Sequence, residues 1–447
     1  MAPPEYYDYI AGHLARERLA QLFPAQWQHA CESAVCISLG PETHEEVSNR
    51  ISGKLKGVKK WVLVGGPPCQ AYSLVGRSRR ANDPSFEDDE KHFLYREYLK
   101  IITDYQPPVF VMENVKGLLS AKVKGEPVLQ KILSDLSRPK MAIGGSHNGL
   151  EYRLYSLSEH GEFKGELDPS SFIVKAEEYG VPQARHRMFI VGIRSDIGLE
   201  PETLEKQQPI HIQDVLGGMP RIRSGISKGS DSSDRWRELL RKTAESRWIG
   251  RFPETHDLKI RDVMKYIITN KSLPCQKQSS RYAAPHKMQE WLYDERLETL
   301  TLHESRSHME TDLQRYFFAA TWASVAKSSP KLSDFPLELL PAHKNVQDGR
   351  NGTMFADRFR VQLPDRASTT ITAHISKDGH YYIHYDPSQS RSLTVREAAR
   401  LQTFPDNYYF EGPRTSQFHQ IGNAVPPYLA SQIAAIIKSV LDKMPEE

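Results

Sequence analysis

Three short apolar runs restrict the fold of this chain more than any other feature of its sequence. They are Trp61-Val-Leu-Val64, Val109-Phe-Val-Met112 and Met188-Phe-Ile-Val-Gly-Ile193. Apolar runs of this length, bounded by turn residues, are typical of strands that are buried on both faces of a sheet. Helical patterns at Glu45 to Leu55 and about Leu94 to Asp104 lie between or before them. We therefore predict an α/β fold with a doubly wound sheet, whose ligands bind beyond the carboxyl ends of the strands.

The ends of the chain predict further regular structure. Residues 1 to about 33 are expected to be helical, and Ala34-Val-Cys-Ile-Ser-Leu39 predicts a short strand that ends at Gly40-Pro41. Helices are expected again from Thr394 to Gln402 and from about Pro427 to Leu441.

The middle of the chain differs from both ends. From about Asp196 to Ser390 the alternation of strands and helices stops, and Ser, Lys, Arg and His become frequent, without an internal repeat. We predict a first domain over residues 1–195, an irregular domain inserted over residues 196–390, and a C-terminal segment, residues 391–447, that returns to the first domain.

Bulk properties exclude several classes of protein. No window approaches about 18 continuous apolar residues, so no transmembrane helix is expected. The N-terminus lacks the basic-then-apolar pattern of a signal peptide. Four cysteines at irregular spacing (Cys31, Cys36, Cys69 and Cys275) do not form a disulfide framework or a zinc motif. A reducing cytoplasm is therefore expected.

Charge is distributed unevenly along the chain. The formal net charge is only +3, but residues 221–290 contain sixteen Lys and Arg against eight Asp and Glu. Trp236, Trp248, Phe252 and Tyr282 lie among these charges. Such a segment could follow nucleic-acid phosphates, and an ordinary basic surface would have the same composition.

Residues suited to covalent chemistry follow the predicted strands. Cys69 lies in Gly65-Gly66-Pro67-Pro68-Cys69-Gln70, just past the first apolar run, where a stiff loop would present a thiolate nucleophile. Glu113 follows the second run, and Arg185 and Arg187 precede the third. A lone cysteine is usually structural. The carboxyl and guanidinium groups expected at the same sheet edge favour a catalytic role here.

This arrangement resembles the DNA cytosine C5-methyltransferase family. Five motifs occur in the family's order, within about residues 61–195 and 365–435. They are Pro68-Cys69-Gln70 with Ser73; Glu113-Asn114-Val115; the Gln183, Arg185, Arg187 pattern; Arg391-Ser-Leu-Thr-Val-Arg-Glu-Ala-Ala-Arg-Leu-Gln-Thr-Phe-Pro405; and Gln420-Ile-Gly-Asn-Ala-Val-Pro426. The resemblance implies a Rossmann-like methyltransferase sheet and, at 196–390, a target-recognition domain.

The resemblance also implies a reaction and its residues. Cys69 would add to cytosine C6, protonated Glu113 would donate to N3, and Arg185 would hold O2, with Arg187 as a further catalytic residue. A carboxyl that donates at neutral pH needs a raised pKa, which a dry pocket favours. The methyl donor would be S-adenosyl-L-methionine and the substrate a cytosine flipped out of double-stranded DNA.

Further residues are matched to the cofactor and to the DNA. Pro67, Asn423 and Val425 are similar to cofactor-binding positions of the family. The segment from Ala71 to Asp89 resembles the mobile loop that closes over flipped DNA; with the nucleophile motif it contributes the expected DNA-binding residues Gln70, Ser73, Arg77, Arg79 and Arg80.

Two other patterns are interpreted as incidental. Pro274-Cys275-Gln276 repeats the nucleophile tripeptide, but in a polar, basic setting without a preceding strand. His303 and His308 are five residues apart, which does not suit two ligands on one helical face, and no third ligand is evident, so no metal site is expected.

The sequence departs from the family before the nucleophile motif. The family has an apolar strand that runs into a Phe-x-Gly-x-Gly-Gly loop and a second strand that ends in an acidic residue; neither occurs in the sixty residues before Trp61. If Cys36 to Leu39 matches the third strand of the family sheet, the first two are missing and the predicted sheet is incomplete. Unpaired strand edges are unfavourable.

Three explanations of this departure remain open at the level of sequence. The chain is one subunit of a split enzyme whose second polypeptide supplies the missing strands, or a truncated form, or a non-catalytic DNA-binding protein on a degenerate scaffold. The first two keep a use for Cys69, Glu113 and Arg185 together. An RNA methyltransferase is a further alternative. We predict a restriction-modification or defence-type DNA methyltransferase of bacterial or archaeal cytoplasm, without membrane attachment.

Overall fold

A computed structural model describes residues 2–67, 95–123, 126–145, 149–163, 168–246, 254–270, 272–341, 346 and 356–445. The chain forms two compact units. The sheet unit consists of residues 25–179, 185–207 and 429–447, and the helical unit consists of residues 1–24, 180–184 and 208–428.

Helices account for most of the regular structure in the described ranges. The α-helices are α1 (Pro4–Ile10), α2 (Arg16–Leu22), α3 (Pro24–Ser33), α4 (His44–Leu55), α5 (Tyr95–Tyr105), α6 (Val128–Ser137), α7 (Pro139–Ala142), α8 (Ile212–Leu216), α9 (Ser233–Ala244), α10 (Glu254–Asn270), α11 (Gln289–Leu292), α12 (Glu310–Ala326), α13 (Val395–Leu401), α14 (Arg414–Asn423) and α15 (Pro427–Lys443). Short 3-10 helices occur at Pro41–Thr43, Lys116–Ser120, Pro169–Phe172, Ala176–Tyr179, Leu332–Asp334, Leu337–Leu339 and Ala373–Ser376.

The strands are fewer and shorter. They are β1 (Val62–Gly65), β2 (Val109–Val115), β3 (Lys122–Val123), β4 (Glu126–Pro127), β5 (Tyr152–Tyr155), β6 (Ile173–Lys175), β7 (Gln183–Ala184), β8 (His186–Arg194), β9 (Gly225–Ile226), β10 (Ser307–His308) and β11 (Ser368–Thr369). All three predicted apolar runs form strands. With the flanking helices they confirm the α/β class.

The sheet unit is built on a five-stranded mixed sheet in the order β1-β2-β8-β5, with β6 also paired to β8. β1 runs parallel to β2, so that Gly65 is opposite Met112. β8 runs antiparallel to β2, with Val115 opposite Arg187. The amino end of β8 therefore lies beside the carboxyl ends of β1 and β2, which gathers the loops of all three strands at one edge.

The core of the sheet unit depends on a close fit between an aromatic ring and a glycine. Phe110 is fully buried and faces Gly192 across the β2–β8 pair. A methyl group at Gly192 would lie 2.1 Å from the Phe110 ring, so only glycine leaves room for it. Tyr98 and Tyr152 pack against the same ring, with centroids 6.1 and 5.1 Å away. Burial of a ring of this size contributes about 1.5–3 kcal/mol to stability.

Among the described residues β1 lies at an edge of the sheet, in agreement with the incomplete sheet predicted from the missing family strands. Val64 retains 69% of its exposure, whereas Val111, its partner in β2, is buried. The expectation of a strand fully buried on both faces was therefore wrong for this run. In the described residues β1 pairs only with β2.

The predicted strand at 34–39 is also absent, since residues 35–39 have no regular structure. Val35 and Leu39 are 46% and 47% exposed. An apolar run becomes a strand only when a neighbouring strand accepts its backbone hydrogen bonds, and no described strand does so here. The N-terminal helical prediction holds in part, as three short helices.

The helical unit has two apolar cores. α9, α10 and α12 pack around one of them, which includes Trp236, Tyr316, Phe317 and Phe318. The other core surrounds α13. A capping box stabilises the start of this helix: Thr394 Oγ1 accepts from the Glu397 backbone N–H at 3.2 Å, and Glu397 Oε2 accepts from the Thr394 N–H at 2.8 Å. Such reciprocal bonds satisfy two backbone donors at a helix start.

One stretch among the described residues, 414–443, is long and apolar enough by composition to cross a membrane. It comprises two helices, α14 and α15, and only its length and hydropathy support that interpretation.

Candidate active site

The carboxyl ends of β1 and β2 bring Glu113 beside the start of the nucleophile loop. Asn114 Nδ2 donates to the carbonyl oxygen of Pro67 at 3.2 Å. A methyl group at Gly66 would lie 3.2 Å from Glu113 Oε2, so glycine lets the carboxyl approach the backbone closely. Glu113 therefore lies next to the chain three residues before Cys69.

Tyr98, which sequence reasoning missed, helps to fix this edge. Its hydroxyl lies 3.2 Å from the Leu63 carbonyl oxygen and 3.1 Å from that of Val111, one acceptor on each strand. A methyl group at Gly65 would lie 2.5 Å from the Tyr98 ring, so the glycine is needed for the ring to cover the strand end. The helical pattern around Leu94 to Asp104 predicted the helix, but nothing in it distinguished this tyrosine from an ordinary core residue.

Glu113 and Arg187 form an ion pair at the sheet edge. Glu113 Oε1 lies 3.1 Å from Arg187 Nε, and the two side chains are 24% and 18% exposed. Burial raises the pKa of the Glu113 carboxyl above its ordinary value, and the Arg187 and Arg185 guanidinium groups offset part of that rise. The net shift is in the direction that a hydrogen-bond or proton donor needs.

Arg185 and Arg187 belong to the same short segment but are held differently. Arg185 is 3% exposed, and its backbone carbonyl accepts from the Ala176 N–H at 3.1 Å. Between the two arginines, His186 Nε2 lies 2.6 Å from Glu177 Oε1. That pair fixes the half-buried His186, and the sequence contained no signal for it because Glu177 lies outside the motif.

The expected cofactor residues Asn423 and Val425 lie at the end of α14. Asn423 is the last residue of the helix and is exposed, and Val425 is half-buried. The helix end packs directly on backbone: a methyl group at Gly422 would lie 2.3 Å from the Ala373 nitrogen. Pro67, the third expected cofactor residue, is half-buried and follows β1.

The remaining predicted site residues cannot be placed. Cys69 and the five DNA-binding positions expected on the following loop (Gln70, Ser73, Arg77, Arg79 and Arg80) lie outside the described residues. Their assignment stays a prediction. Pro67 and Glu113 mark where the loop begins.

The two patterns interpreted as incidental have ordinary structural partners. His303 is buried, with Nε2 2.8 Å from the Pro220 carbonyl oxygen and Nδ1 3.1 Å from Thr394 Oγ1. His308 Nε2 lies 3.2 Å from Ser392 Oγ. Cys275 is exposed and accepts from Arg237 Nη2 at 2.7 Å. Within the described ranges, no three metal-binding side chains cluster.

Comparison with known proteins gives related matches over most of the chain. A Type II methyltransferase of Bacillus paralicheniformis, M.Bpa9945I, is 33% identical over 386 residues, which are 85% of this chain and 71% of that protein. The DNA (cytosine-5-)-methyltransferase M.ApeKI of Aeropyrum pernix is 28% identical over 436 residues, covering 87% of this chain and 83% of its own length. A solved structure described as a DNA modification methyltransferase of an E. coli prophage aligns with a TM-score of 0.47 at 21% identity, over 89% of this chain and 84% of that one.

The family model for C-5 cytosine-specific DNA methylases matches residues 40–439. That range includes the edge at Pro67, Glu113 and Arg187 as well as the helix end at Asn423. The chain belongs to the C-5 cytosine-specific DNA methylase family.

Proposed function

We propose that this chain methylates C5 of cytosine in double-stranded DNA through a covalent adduct between Cys69 and C6 of the base. The observation that carries the proposal is the half-buried Glu113, which lies beside Gly66 at the end of β1 and β2 and pairs with Arg187 at 3.1 Å, and whose pKa burial raises. Membership of the family supports the reaction class. It favours an enzyme over a non-catalytic DNA-binding protein, and a DNA substrate over RNA.

Formation of the adduct makes C5 of cytosine, otherwise a weak nucleophile, reactive. The Cys69 thiolate forms an S–C6 bond, and the C5–C6 π electrons move toward the ring carbonyl and N3. Glu113 supplies a proton or hydrogen bond at N3, and Arg185 holds O2 against the charge that develops there. Stabilising charge that appears only in the transition state is a large source of rate enhancement in enzymes.

The adduct then breaks down, and the Cys69 thiolate is regenerated. S-Adenosylmethionine, the cofactor of this family, supplies the methyl group to C5 when it is bound. Loss of the C5 proton to solvent restores the C5–C6 double bond, and the S–C6 bond breaks with return of the thiolate. Glu113 recovers its proton as N3 becomes neutral. The chain's own residues thus bind the base, hold the N3 proton and carry the leaving thiolate.

Pro67, Asn423 and Val425 are the residues proposed to contact the cofactor. The exposed Asn423 amide and the half-buried Val425 suit a ligand with polar and apolar parts. These residues fit only part of such a ligand, because the described chain places no strand or glycine loop on the free side of β1.

A second polypeptide segment, bearing the family's glycine-loop strand, is proposed to cover that free side. Val64, 69% exposed on β1, supports this. Strand edges with apolar side chains are places where another strand adds. Covering this edge would complete the cofactor pocket.

DNA recognition is assigned to two regions. Residues 196–390 are proposed as the target-recognition domain, between the catalytic residues 1–195 and the closing segment 391–447. Gln70, Ser73, Arg77, Arg79 and Arg80 are proposed to contact the DNA around the flipped cytosine. Basic side chains on phosphates would make binding salt-dependent. An enzyme that modifies cellular DNA would work in the bacterial or archaeal cytoplasm.

Methyl transfer from labelled S-adenosylmethionine to duplex DNA tests the proposal. The assay uses the chain alone and the chain with a fragment bearing the glycine-loop strand. Cys69→Ser should abolish transfer, whereas Cys275→Ser, which alters the same tripeptide elsewhere, should retain it. Activity with the fragment only would establish that the second segment completes the pocket. Transfer by Cys69→Ser at the wild-type rate would refute the assigned nucleophile.

A further inference from the structure

Two buried glutamines of the helical unit, Gln183 and Gln402, are joined side chain to side chain. Both are 0% exposed. Gln183 lies on β7, two residues before Arg185 in the sequence, and Gln402 follows the last residue of α13. Burying an amide destabilises the fold unless its donor and its acceptor are both hydrogen-bonded. Such a pair therefore restrains the position of its hydrogen-bond partners.

The hydrogen bonds run in one direction through the pair. Gln183 Nε2 donates to Gln402 Oε1 and, at 3.2 Å, to the Leu401 carbonyl oxygen. Gln183 Oε1 accepts from the Ile371 N–H at 2.8 Å. Gln402 Nε2 donates to the carbonyl oxygen of Ala424 at 2.6 Å. Only a side chain that has a donor and an acceptor can take the place of Gln402 in this chain of bonds.

The last hydrogen bond of this series reaches the segment that the proposed function places at the cofactor. Ala424 lies between Asn423 and Val425. The Tyr428 N–H donates to Thr403 Oγ1 at 3.1 Å, so the residue after Gln402 holds the other end of the same short segment. Neighbouring residues 402 and 403 thus fix the backbone on both sides of Val425.

We propose that Gln402 is a positioning residue: held by Gln183, it fixes Ala424 and, through it, the neighbouring Asn423 and Val425 for the cofactor. The inference rests on the proposed function, which assigns the cofactor to Asn423 and Val425. It goes beyond that function because it assigns a role to Gln402, whose side-chain amide is bonded to Gln183 and to the Ala424 backbone.

Gln402→Met tests the role, with Gln417→Met as the matched control. Gln417 is buried in the same unit, and its Nε2 donates to the Phe410 and Gly412 carbonyl oxygens at 3.1 and 3.0 Å, away from Ala424. Both variants lose a buried amide of the same kind. A loss of general stability should therefore appear in both.

Two measurements separate positioning from stability. Hydrogen exchange of the peptide 423–428 in the ligand-free chain should become faster in Gln402→Met and stay unchanged in Gln417→Met. The Kd for S-adenosylhomocysteine, measured by calorimetry with the glycine-loop fragment present, should rise about ten-fold in Gln402→Met only. The Kd for duplex DNA should stay within about two-fold in both variants, since no phosphate contact changes.

The outcomes distinguish this inference from the proposed function. Unchanged exchange in Gln402→Met, or an equal loss of S-adenosylhomocysteine affinity in both variants, would overturn the positioning role. If the wild-type protein binds no S-adenosylhomocysteine, the proposed function fails, and hydrogen exchange alone decides whether Gln402 positions the segment.

Discussion

Glu113 Oε1 lies 3.1 Å from Arg187 Nε, and burial nevertheless raises the pKa of the Glu113 carboxyl. The arginine therefore does two things at once: it orients the carboxyl and limits how far its pKa rises. A donor at N3 of cytosine needs a carboxyl that keeps its proton near neutral pH, yet one that gives the proton up readily. The β2–β8 pairing places residue 187 opposite residue 115 and so sets the Arg187 guanidinium beside the Glu113 carboxyl.

Glu113→Gln should reduce methyl transfer by about 10²–10⁴-fold, the usual contribution of a positioned proton donor. The amide keeps the shape and one donor but cannot release a proton. Duplex DNA binding should be unchanged in a gel-shift titration. Retention of the full transfer rate would exclude Glu113 from the chemistry.

The pH dependence of kcat/KM should reveal Glu113 directly. Only the protonated carboxyl can donate, so the rate should fall as pH rises through its pKa. Because burial raises the pKa of Glu113, that fall should occur above the ordinary carboxyl range of about 4.3. In Arg187→Met, loss of the neighbouring cation should raise the pKa of Glu113 further and move the fall to higher pH.

Thiolate formation at the proposed nucleophile Cys69 should give a separate, rising limb of the same pH profile, which serves as an internal control. That limb should persist in Glu113→Gln while the falling limb disappears. A falling limb that moves to lower pH in Arg187→Met would contradict the assigned electrostatic relationship.

Val64→Asp should separate the fold of the chain from assembly with a second segment. Val64 is an exposed edge residue, so the free energy of unfolding of the chain alone should change by at most about 0.5 kcal/mol. Addition of the glycine-loop fragment should no longer stimulate methyl transfer, because a charge on the joining edge opposes strand addition. Undiminished stimulation would show that this edge is not where the fragment binds.

The buried Arg400–Asp406 pair should be important for stability. Arg400 Nη2 lies 2.8 Å from Asp406 Oδ2, both side chains are 0% exposed, and Arg400 Nη1 also donates to the Val215 carbonyl oxygen. Asp406→Ala should lower the free energy of unfolding, measured in urea, by about 3–5 kcal/mol, since it leaves a buried cation unpaired. Asp365→Ala, which breaks an exposed pair with Arg366, should cost about 0–1 kcal/mol.

Sequence patterns predicted the elements that depend on local residues or on a continuous apolar run. β2 and β8 are apolar runs long enough to be strands in any sheet. β5 and β6 were missed because Tyr152–Tyr155 and Ile173–Lys175 are short and mix polar with apolar residues. The strand predicted at 34–39 failed because strand formation depends on a neighbour, which no local pattern contains.

The candidate site, like the fold, was predicted from the sequence only in part. The motifs indicated which residue types belong together, namely a carboxyl after one strand and arginines before another. They did not indicate that β8 runs antiparallel, which is what brings Arg187 to Glu113. Nor could they single out Tyr98, whose partners are 13 and 35 residues away, or Gln402, whose partners are 22 and 219 residues away. Contacts between distant segments need the folded chain.

Covalent capture of Cys69 tests the central claim most directly. Duplex DNA that contains 2-pyrimidinone at the target position has a more electrophilic C6 than cytosine, so a thiolate can add to it without methyl transfer. We predict a denaturation-resistant protein–DNA complex for the wild-type chain and for Cys275→Ser, with the adduct mapped by mass spectrometry to Cys69, and none for Cys69→Ser. An adduct on another residue, or an undiminished complex in Cys69→Ser, would contradict the account.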